Sequence, residues 1–269
     1  SDAVGNPLDI EIADLDGDGD LDVVGAFQGY NSKSGITWIE NISDSPINGA
    51  NWDTKLIYSG DENKVPTLIN DMDFRYISVG DIDNDGDLDI VSGSNTHNSS
   101  ATELGHINLY ENDGASDPTW TKTTIDSYIP GYFVELADID SDGDLDIVSA
   151  SKNPYGTTTY IDWYENDGAA TWTPAFTAAD INISANVARD LHIADMDRDG
   201  DLDIVSASSG DNTIAWYEND GAANPSWTAS DISYTALGPR GIFLADIDSD
   251  GDLDIISASS GDNTIAWYE

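Results

Sequence analysis

Five nine-residue segments of this chain carry carboxylates at fixed spacing. They are Asp14-Leu-Asp-Gly-Asp-Gly-Asp-Leu-Asp22, Asp81-Ile-Asp-Asn-Asp-Gly-Asp-Leu-Asp89, Asp138-Ile-Asp-Ser-Asp-Gly-Asp-Leu-Asp146, Asp195-Met-Asp-Arg-Asp-Gly-Asp-Leu-Asp203 and Asp246-Ile-Asp-Ser-Asp-Gly-Asp-Leu-Asp254. Acids at positions 1, 3, 5 and 9 offer several hard oxygens around one point, and glycine at position 6 permits the tight turn that gathers them. Position 7 is expected to give its main-chain carbonyl, as the corresponding position does in helix-flanked calcium loops. That leaves the side chains of Asp20, Asp87, Asp144, Asp201 and Asp252 for supporting hydrogen bonds or solvent. Histidine and cysteine are absent from the segments, which disfavours zinc, and many protein oxygens on one turn suit calcium better than the smaller magnesium. Four such carboxylates in one turn repel each other unless a cation sits among them. A single Asp-Gly string is as readily a solvated turn; five in register are not.

Carboxylates so spaced converge only if the chain on either side is held, and the flanking sequence repeats with them. Each segment is followed by a second string: Ile36-Thr-Trp-Ile-Glu-Asn41, Ile107-Asn-Leu-Tyr-Glu-Asn112, Ile161-Asp-Trp-Tyr-Glu-Asn166, Ile214-Ala-Trp-Tyr-Glu-Asn219 and Ile265-Ala-Trp-Tyr-Glu269. A third element, Trp-Thr or close to it, begins at Trp52, Trp120, Trp172 and Trp227. In the fifth unit, residues 241–245 lead into the loop as strand A, 253–258 leave it as B and 264–268 form C, while 227–232 show the kind of strand that comes fourth. Strands B and C are rich in Ile, Val, Trp and Tyr and are bounded by turn residues such as Ser260-Gly-Asp-Asn263. No segment has a helical period. Four-stranded units at this spacing predict an all-β fold, a β-propeller of five units with four-stranded antiparallel blades. The last blade is incomplete, the strand count is nineteen, and residues 1–269 form one domain. A parallel β-helix is the rival, but its coils are shorter than these units.

Composition narrows the function. Hydrophobic residues make up 39 %, enough for a core, while 52 acids against 9 bases give a formal net charge of -43. Such a charge opposes binding to nucleic acid or anionic lipid. No run of eighteen apolar residues exists, so no membrane insertion is expected, and the Ser1 start lacks the segments of a signal peptide, as a mature secreted chain would. There is no cysteine, so no disulfide contributes.

The string Asp-x-Asp-x-Asp-Gly-x-x-Asp between two strands resembles the loop of the VCBS and FG-GAP repeat families, the latter also forming the propeller of integrin alpha chains. The resemblance covers essentially the whole chain. It implies that Asp14, Asp16, Asp18 and Asp22 are ligands in unit one, with Asp20 acting through its main chain. Asp81, Asp83, Asp85 and Asp89, with Asp87 by carbonyl, take those roles in unit two. Asp138, Asp140, Asp142 and Asp146 with Asp144, then Asp195, Asp197, Asp199 and Asp203 with Asp201, then Asp246, Asp248, Asp250 and Asp254 with Asp252 complete the set for five calcium ions. The Phe-Gly and Gly-Ala-Pro strings that name the FG-GAP family are missing, so VCBS is the nearer label and integrin-type ligand chemistry is not implied. Members of both families are typically extracellular, and millimolar calcium outside cells suits weak loops.

Other recurrent residues read as structural. Trp38, Trp163, Trp216 and Trp267 keep one place in strand C with Leu109 standing in for the fifth, which fits packing between blades. Glu-Asn-Asp-Gly strings read as turns, and His97, His106 and His192 fall outside the repeat. The connections from B to C and from unit to unit are unequal, the longest being 94–105 and 59–74, and variable loops on a rigid scaffold are where recognition resides. Tyr30, Tyr128, Tyr132, Phe133, Tyr155, Tyr160 and Tyr234 lie in or beside them and could stack on sugar. The expected function is an extracellular binding or adhesion module for a glycan or protein, as a monomer or one domain of a larger surface protein. A polysaccharide hydrolase or lyase and a plain structural spacer are the alternatives. No Gly-x-Ser-x-Gly, His-Glu-x-x-His or phosphate loop is present, and with so many acids the sequence singles out no catalytic pair.

Overall fold

The computed structural model describes residues 6–28, 34–42, 51–59, 72–96, 105–127, 131–152, 159–166, 168, 179–182 and 185–269. Among these, nineteen strands form five antiparallel sheets, and in each the spatial order follows the chain. The first sheet holds β1 (Asn6–Ala13), β2 (Asp22–Gln28), β3 (Gly35–Asn41) and β4 (Trp52–Ser59). The second holds β5 (Met72–Gly80), β6 (Asp89–Thr96), β7 (Gly105–Asn112) and β8 (Trp120–Asp126). The third holds β9 (Gly131–Ala137), β10 (Asp146–Lys152), β11 (Thr159–Tyr164) and β12 (Ala179–Asn182). The fourth holds β13 (Ala188–Ala194), β14 (Asp203–Ser208), β15 (Thr213–Asn219) and β16 (Trp227–Ser233). The fifth has three strands, β17 (Pro239–Ala245), β18 (Asp254–Ser259) and β19 (Thr264–Tyr268). This is the strand pattern of a five-bladed propeller whose last blade is incomplete, as the repeat predicts.

Burial explains the sequence of each strand type. The second strand of a blade is covered on both faces, so it reads as a continuous small or β-branched run: all six residues of β14, Asp-Ile-Val-Ser-Ala-Ser, are buried. The fourth strand is an edge, and β16 is accordingly polar and mostly exposed. The first strands bulge: β1, β5, β13 and β17 each carry one extra residue against the second strand, at Leu8, Arg75, Arg189 and Arg240. Two of these arginines are thereby aimed at the B–C turn, Arg189 Nε donating to Ser209 Oγ at 3.2 Å and Arg240 Nε to Ser260 Oγ at 2.8 Å.

The chain divides into two compact bodies at Leu136/Ala137, within β9. In the first body the core joins Val24, Ala26, Ile36 and Trp38 of one blade to Phe74, Ile77, Ile90 and Tyr110 of the next. In the second, Val205, Ala207 and Ile214 meet Ile242 and Ile255. Trp38 belongs to the first of these cores, and Leu109 and Trp163 are equally buried, as a packing role at three of the five recurrent positions requires. Trp216 is half-buried and Trp267 is 52 % exposed, a departure from that reading.

Replacing Trp163 with alanine removes a fully buried ring and should cost ~3–5 kcal/mol of stability. Trp52, 46 % exposed on an edge strand, should cost within about 0.5 kcal/mol on the same substitution. Urea unfolding of the two variants checks this; equal midpoints would contradict the packing described.

Candidate metal centres

Every aspartate segment is the hairpin loop between the first and second strands of its blade. Two residues per loop have positive φ. Position 6 is glycine throughout, with φ between 94° at Gly19 and 103° at Gly200, a conformation a side chain would strain by about 1–3 kcal/mol. Position 4 also turns left-handed, at Asn84, Ser141, Arg198 and Ser249 with φ of 59° to 65°, which the mixed residue types there had not signalled. The two turns fold the loop inward so that its amides meet its own carboxylates. Position 6 donates to the position-1 carboxylate in all five loops, as Gly86 N to Asp81 Oδ2 at 3.1 Å and Gly19 N to Asp14 Oδ2 at 2.9 Å. Position 7 donates likewise to position 5, as Asp144 N to Asp142 Oδ1 at 3.0 Å.

This wrapping brings positions 1, 3 and 5 together. Asp14, Asp16 and Asp18 each offer an oxygen within 4.8 Å of the others; so do Asp81, Asp83 and Asp85; Asp138, Asp140 and Asp142; Asp195, Asp197 and Asp199; and Asp246, Asp248 and Asp250. All five clusters can hold a metal ion. The fit is sharpened by orphaned atoms: Asp14 Oδ1, Asp140 Oδ1 and Asp195 Oδ1 are buried and have no hydrogen-bond partner. A buried anionic oxygen without a donor is costly, and a hard cation at the centre of the cluster removes that cost.

The ninth-position carboxylates are placed differently. Asp22, Asp89, Asp146, Asp203 and Asp254 are buried beneath the loop and stand outside the converging trio. One oxygen accepts from the position-2 amide, as Ile82 N to Asp89 Oδ2 at 3.1 Å, and in four units the other accepts from the Asn at or just past the end of the third strand, as Asn112 N to Asp89 Oδ1 at 2.9 Å. The same asparagine's side chain ties blades together. Asn112 Nδ2 donates to Leu88 O of its own loop at 3.1 Å and to Leu15 O of the preceding loop at 2.9 Å; Asn219 repeats this with Leu202 O and Ile139 O. The position-7 carboxylates pack onto the Asn-Asp-Gly turns. A Cβ at Gly114 would collide with Asp87, one at Gly168 with Asp144 and one at Gly221 with Asp201, so those glycines leave room for an aspartate as well as forming a turn.

Two further residues were not singled out in the sequence. The Glu of the third-strand string approaches the cluster: Glu40 lies beside Asp16 and helps to raise its pKa, and Glu111 and Glu165 lie in the field of Asp83 and Asp140. Its place before Asn in four of the five strings was the available signal, read as turn chemistry alone. Arg198, at position 4 of the fourth loop, donates Nη2 to Asp252 Oδ1 of the fifth at 2.9 Å. Of the aromatics near the variable loops, Tyr234 is 69 % exposed and Phe133 meets Tyr76 at a tilt of 48° with 4.9 Å between ring centroids; Tyr30, Tyr128 and Tyr155 lie outside the described residues.

Burial, assisted by neighbouring carboxylates, pushes several of these acids up: Asp16 to about 6, Asp89 and Asp146 to about 7, with Asp83, Asp140 and Asp203 also raised. An acid whose pKa is raised in the folded state binds its proton more tightly folded than unfolded. Metal-free protein should therefore gain stability as pH falls from about 7 towards the ordinary value of 3.8. A bound cation favours the ionised form and reverses the trend. Thermal unfolding in chelator should give a higher midpoint at about pH 5.5 than at about pH 7.5, and the midpoint gain from added cation should shrink over the same interval; a chelated protein more stable at the higher pH would contradict the burial of these groups. Asn112→Ala leaves two buried carbonyls short of a donor and should cost ~1–3 kcal/mol in urea unfolding; no measurable loss would contradict the inter-loop bond.

A family model, the FG-GAP-like repeat, matches residues 81–149, 138–206 and 195–257 in tandem. Each match begins on the first aspartate of a loop and ends on the buried serine of the next blade's second strand, Ser149, Ser206 or Ser257. The match falls on the FG-GAP side of the two families that the loops resemble, in spite of the missing Phe-Gly and Gly-Ala-Pro strings. Among curated proteins, none matches the chain.

Proposed function

The chain belongs to the FG-GAP-like repeat family, and from this we propose that it is an extracellular calcium-binding module that presents a recognition surface for a glycan or protein. The observation that carries the calcium reading is the convergence of three carboxylates in each of five loops, with orphaned buried oxygens in three of them. The side chains at positions 1, 3 and 5 would hold the ion, joined by the position-7 carbonyl. The ninth carboxylate would add the lone pairs that its two main-chain bonds leave over. All-oxygen donors on a flexible turn suit calcium, and calcium would supply structural charge neutralisation. No helix among the described residues is long and apolar enough to cross a membrane, which accords with a secreted or surface-displayed module. The recognition surface is proposed for the B–C and unit-to-unit connections, where loop length varies and exposed aromatics such as Tyr234 stand.

Each ion bound to the fold and not to the unfolded chain adds about 2.7 kcal/mol at a hundredfold excess over its dissociation constant. Excess chelator should lower the thermal midpoint well below that in millimolar calcium, and Asp142→Ala should forfeit about one loop's share; identical transitions with and without chelator would refute the calcium reading. A glycan array probed with the calcium-loaded protein, together with recovery of co-purifying proteins, tests the recognition surface. Binding that survives deletion of residues 97–104, between β6 and β7, and substitution of Tyr234 would place it elsewhere.

A further inference from the structure

Nine aspartates of this chain are followed directly by glycine. At such a step the chain rearranges most readily, because with no side chain in the way the glycine amide can swing against the carboxyl carbon before it. In eight of the nine, that amide is held elsewhere. At loop position 6, Gly19, Gly86, Gly143, Gly200 and Gly251 each donate N–H to the position-1 carboxylate, at 2.9 to 3.2 Å. In the Asn-Asp-Gly turns, Gly114, Gly168 and Gly221 donate theirs to the asparagine Oδ1, at 3.0 to 3.2 Å. Each bond fixes the peptide plane and its proton, so the nitrogen cannot turn towards the preceding side chain.

The ninth step is Asp16-Gly17. Only the first loop has glycine at position 4, where the others carry Asn84, Ser141, Arg198 and Ser249. Gly17 N donates to no acceptor among the described residues. Gly17 is exposed, its φ is 71°, and a Cβ added to it would meet nothing within 4 Å. Asp16 Oδ1 accepts from Asp18 N at 3.3 Å, which arches the side chain over the Gly17 peptide. The same arch is made by Asp83, Asp197 and Asp248 and by the position-5 aspartates. The unheld glycine amide, and not the arch, therefore sets Asp16 apart.

We propose that Asp16-Gly17 is a site of spontaneous covalent modification, the conversion of Asp16 to isoaspartate, and that it is the Asp-Gly step the folded chain leaves open to it. The Gly17 nitrogen attacks Asp16 Cγ. An N–Cγ bond forms and a Cγ–O bond breaks, the oxygen leaving as water with the amide proton and one proton from solvent. Water then adds to the main-chain carbonyl of the five-membered imide. The bond from that carbon to the nitrogen breaks, and the nitrogen takes a proton from the water. The chain now runs through Cβ and Cγ, the former main-chain carbon is a carboxylate on Cα, and the mass is back at its starting value. Only water and a proton take part. The relocated carboxylate no longer stands with those of Asp14 and Asp18, so the first loop loses its trio while the other four keep theirs. That consequence for a bound ion rests on the calcium reading; the modification itself does not.

Peptide mapping of the aged full chain tests the proposal. The protein is incubated with chelator near neutral pH, below its thermal transition, beside a sample unfolded in urea. Isoaspartate at each step is then measured by mass spectrometry with fragmentation that distinguishes the isoaspartyl bond. In the folded sample, residue 16 should exceed the position-5 aspartates by roughly ten- to a hundredfold, the factor by which a hydrogen bond to a carboxylate holds back the other glycine amides. In urea the difference should vanish. Gly17→Ser, which installs the residue that the third and fifth loops carry at this position, should suppress the conversion in the folded chain. Equal conversion at residue 16 and at the position-5 aspartates of the folded protein overturns the proposal, as does conversion that Gly17→Ser leaves unchanged. Millimolar calcium should slow the reaction at residue 16. A rate that calcium leaves unchanged, with residue 16 still foremost, supports the modification and counts against an ion in the first loop.

Discussion

Three carboxylates held within 4.8 Å of one another, five times over, are the constraint around which this fold is arranged. Two unit charges at that separation repel by roughly 1 kcal/mol in bulk water and ~3–4 kcal/mol at the effective dielectric near a protein surface. Each trio contains three such pairs. The loop holds them by turning its own amides inward, from positions 5, 6 and 7, which fixes the carboxylate oxygens without neutralising them. Neutralisation requires a cation or a proton, and the raised Asp16, Asp83 and Asp140 are the proton's side of that competition.

The loops are also part of the joints between blades. The ninth carboxylate clamps the position-2 amide on one side and the third-strand asparagine on the other, and the asparagine amide crosses to the preceding loop's carbonyl. Collapse of one loop therefore reaches the packing of its neighbour through a single side chain. Arg198 adds a second, exposed connection between the fourth and fifth loops, of the kind that contributes about 0–1 kcal/mol.

Much of this was legible in the sequence, because the repeat supplies its own alignment. Five copies of the aspartate string located the loops, and the conversion of loop, string and Trp-Thr element into nineteen strands followed from β-branched and aromatic content between turn residues. What could not be read was direction. Positions 1, 3, 5 and 9 are alike as residue types, and only the folded loop separates the ninth, whose burial and two main-chain donors depend on an asparagine about twenty residues away. The Glu before that asparagine looked like turn chemistry because its approach to the cluster depends on strand pairing across the blade. The burial of Trp38 and Trp163 against the exposure of Trp267 was equally hidden, since identical residues differ there only in what lies on the other side of the sheet.

The central claim is that every loop is a calcium site. Calorimetric titration of calcium into chelator-stripped protein at neutral pH, repeated in a large excess of magnesium, measures it most directly. The account predicts saturation at five calcium ions per chain with magnesium displacing few of them; saturation at none or one, or equal occupancy by magnesium, would contradict it.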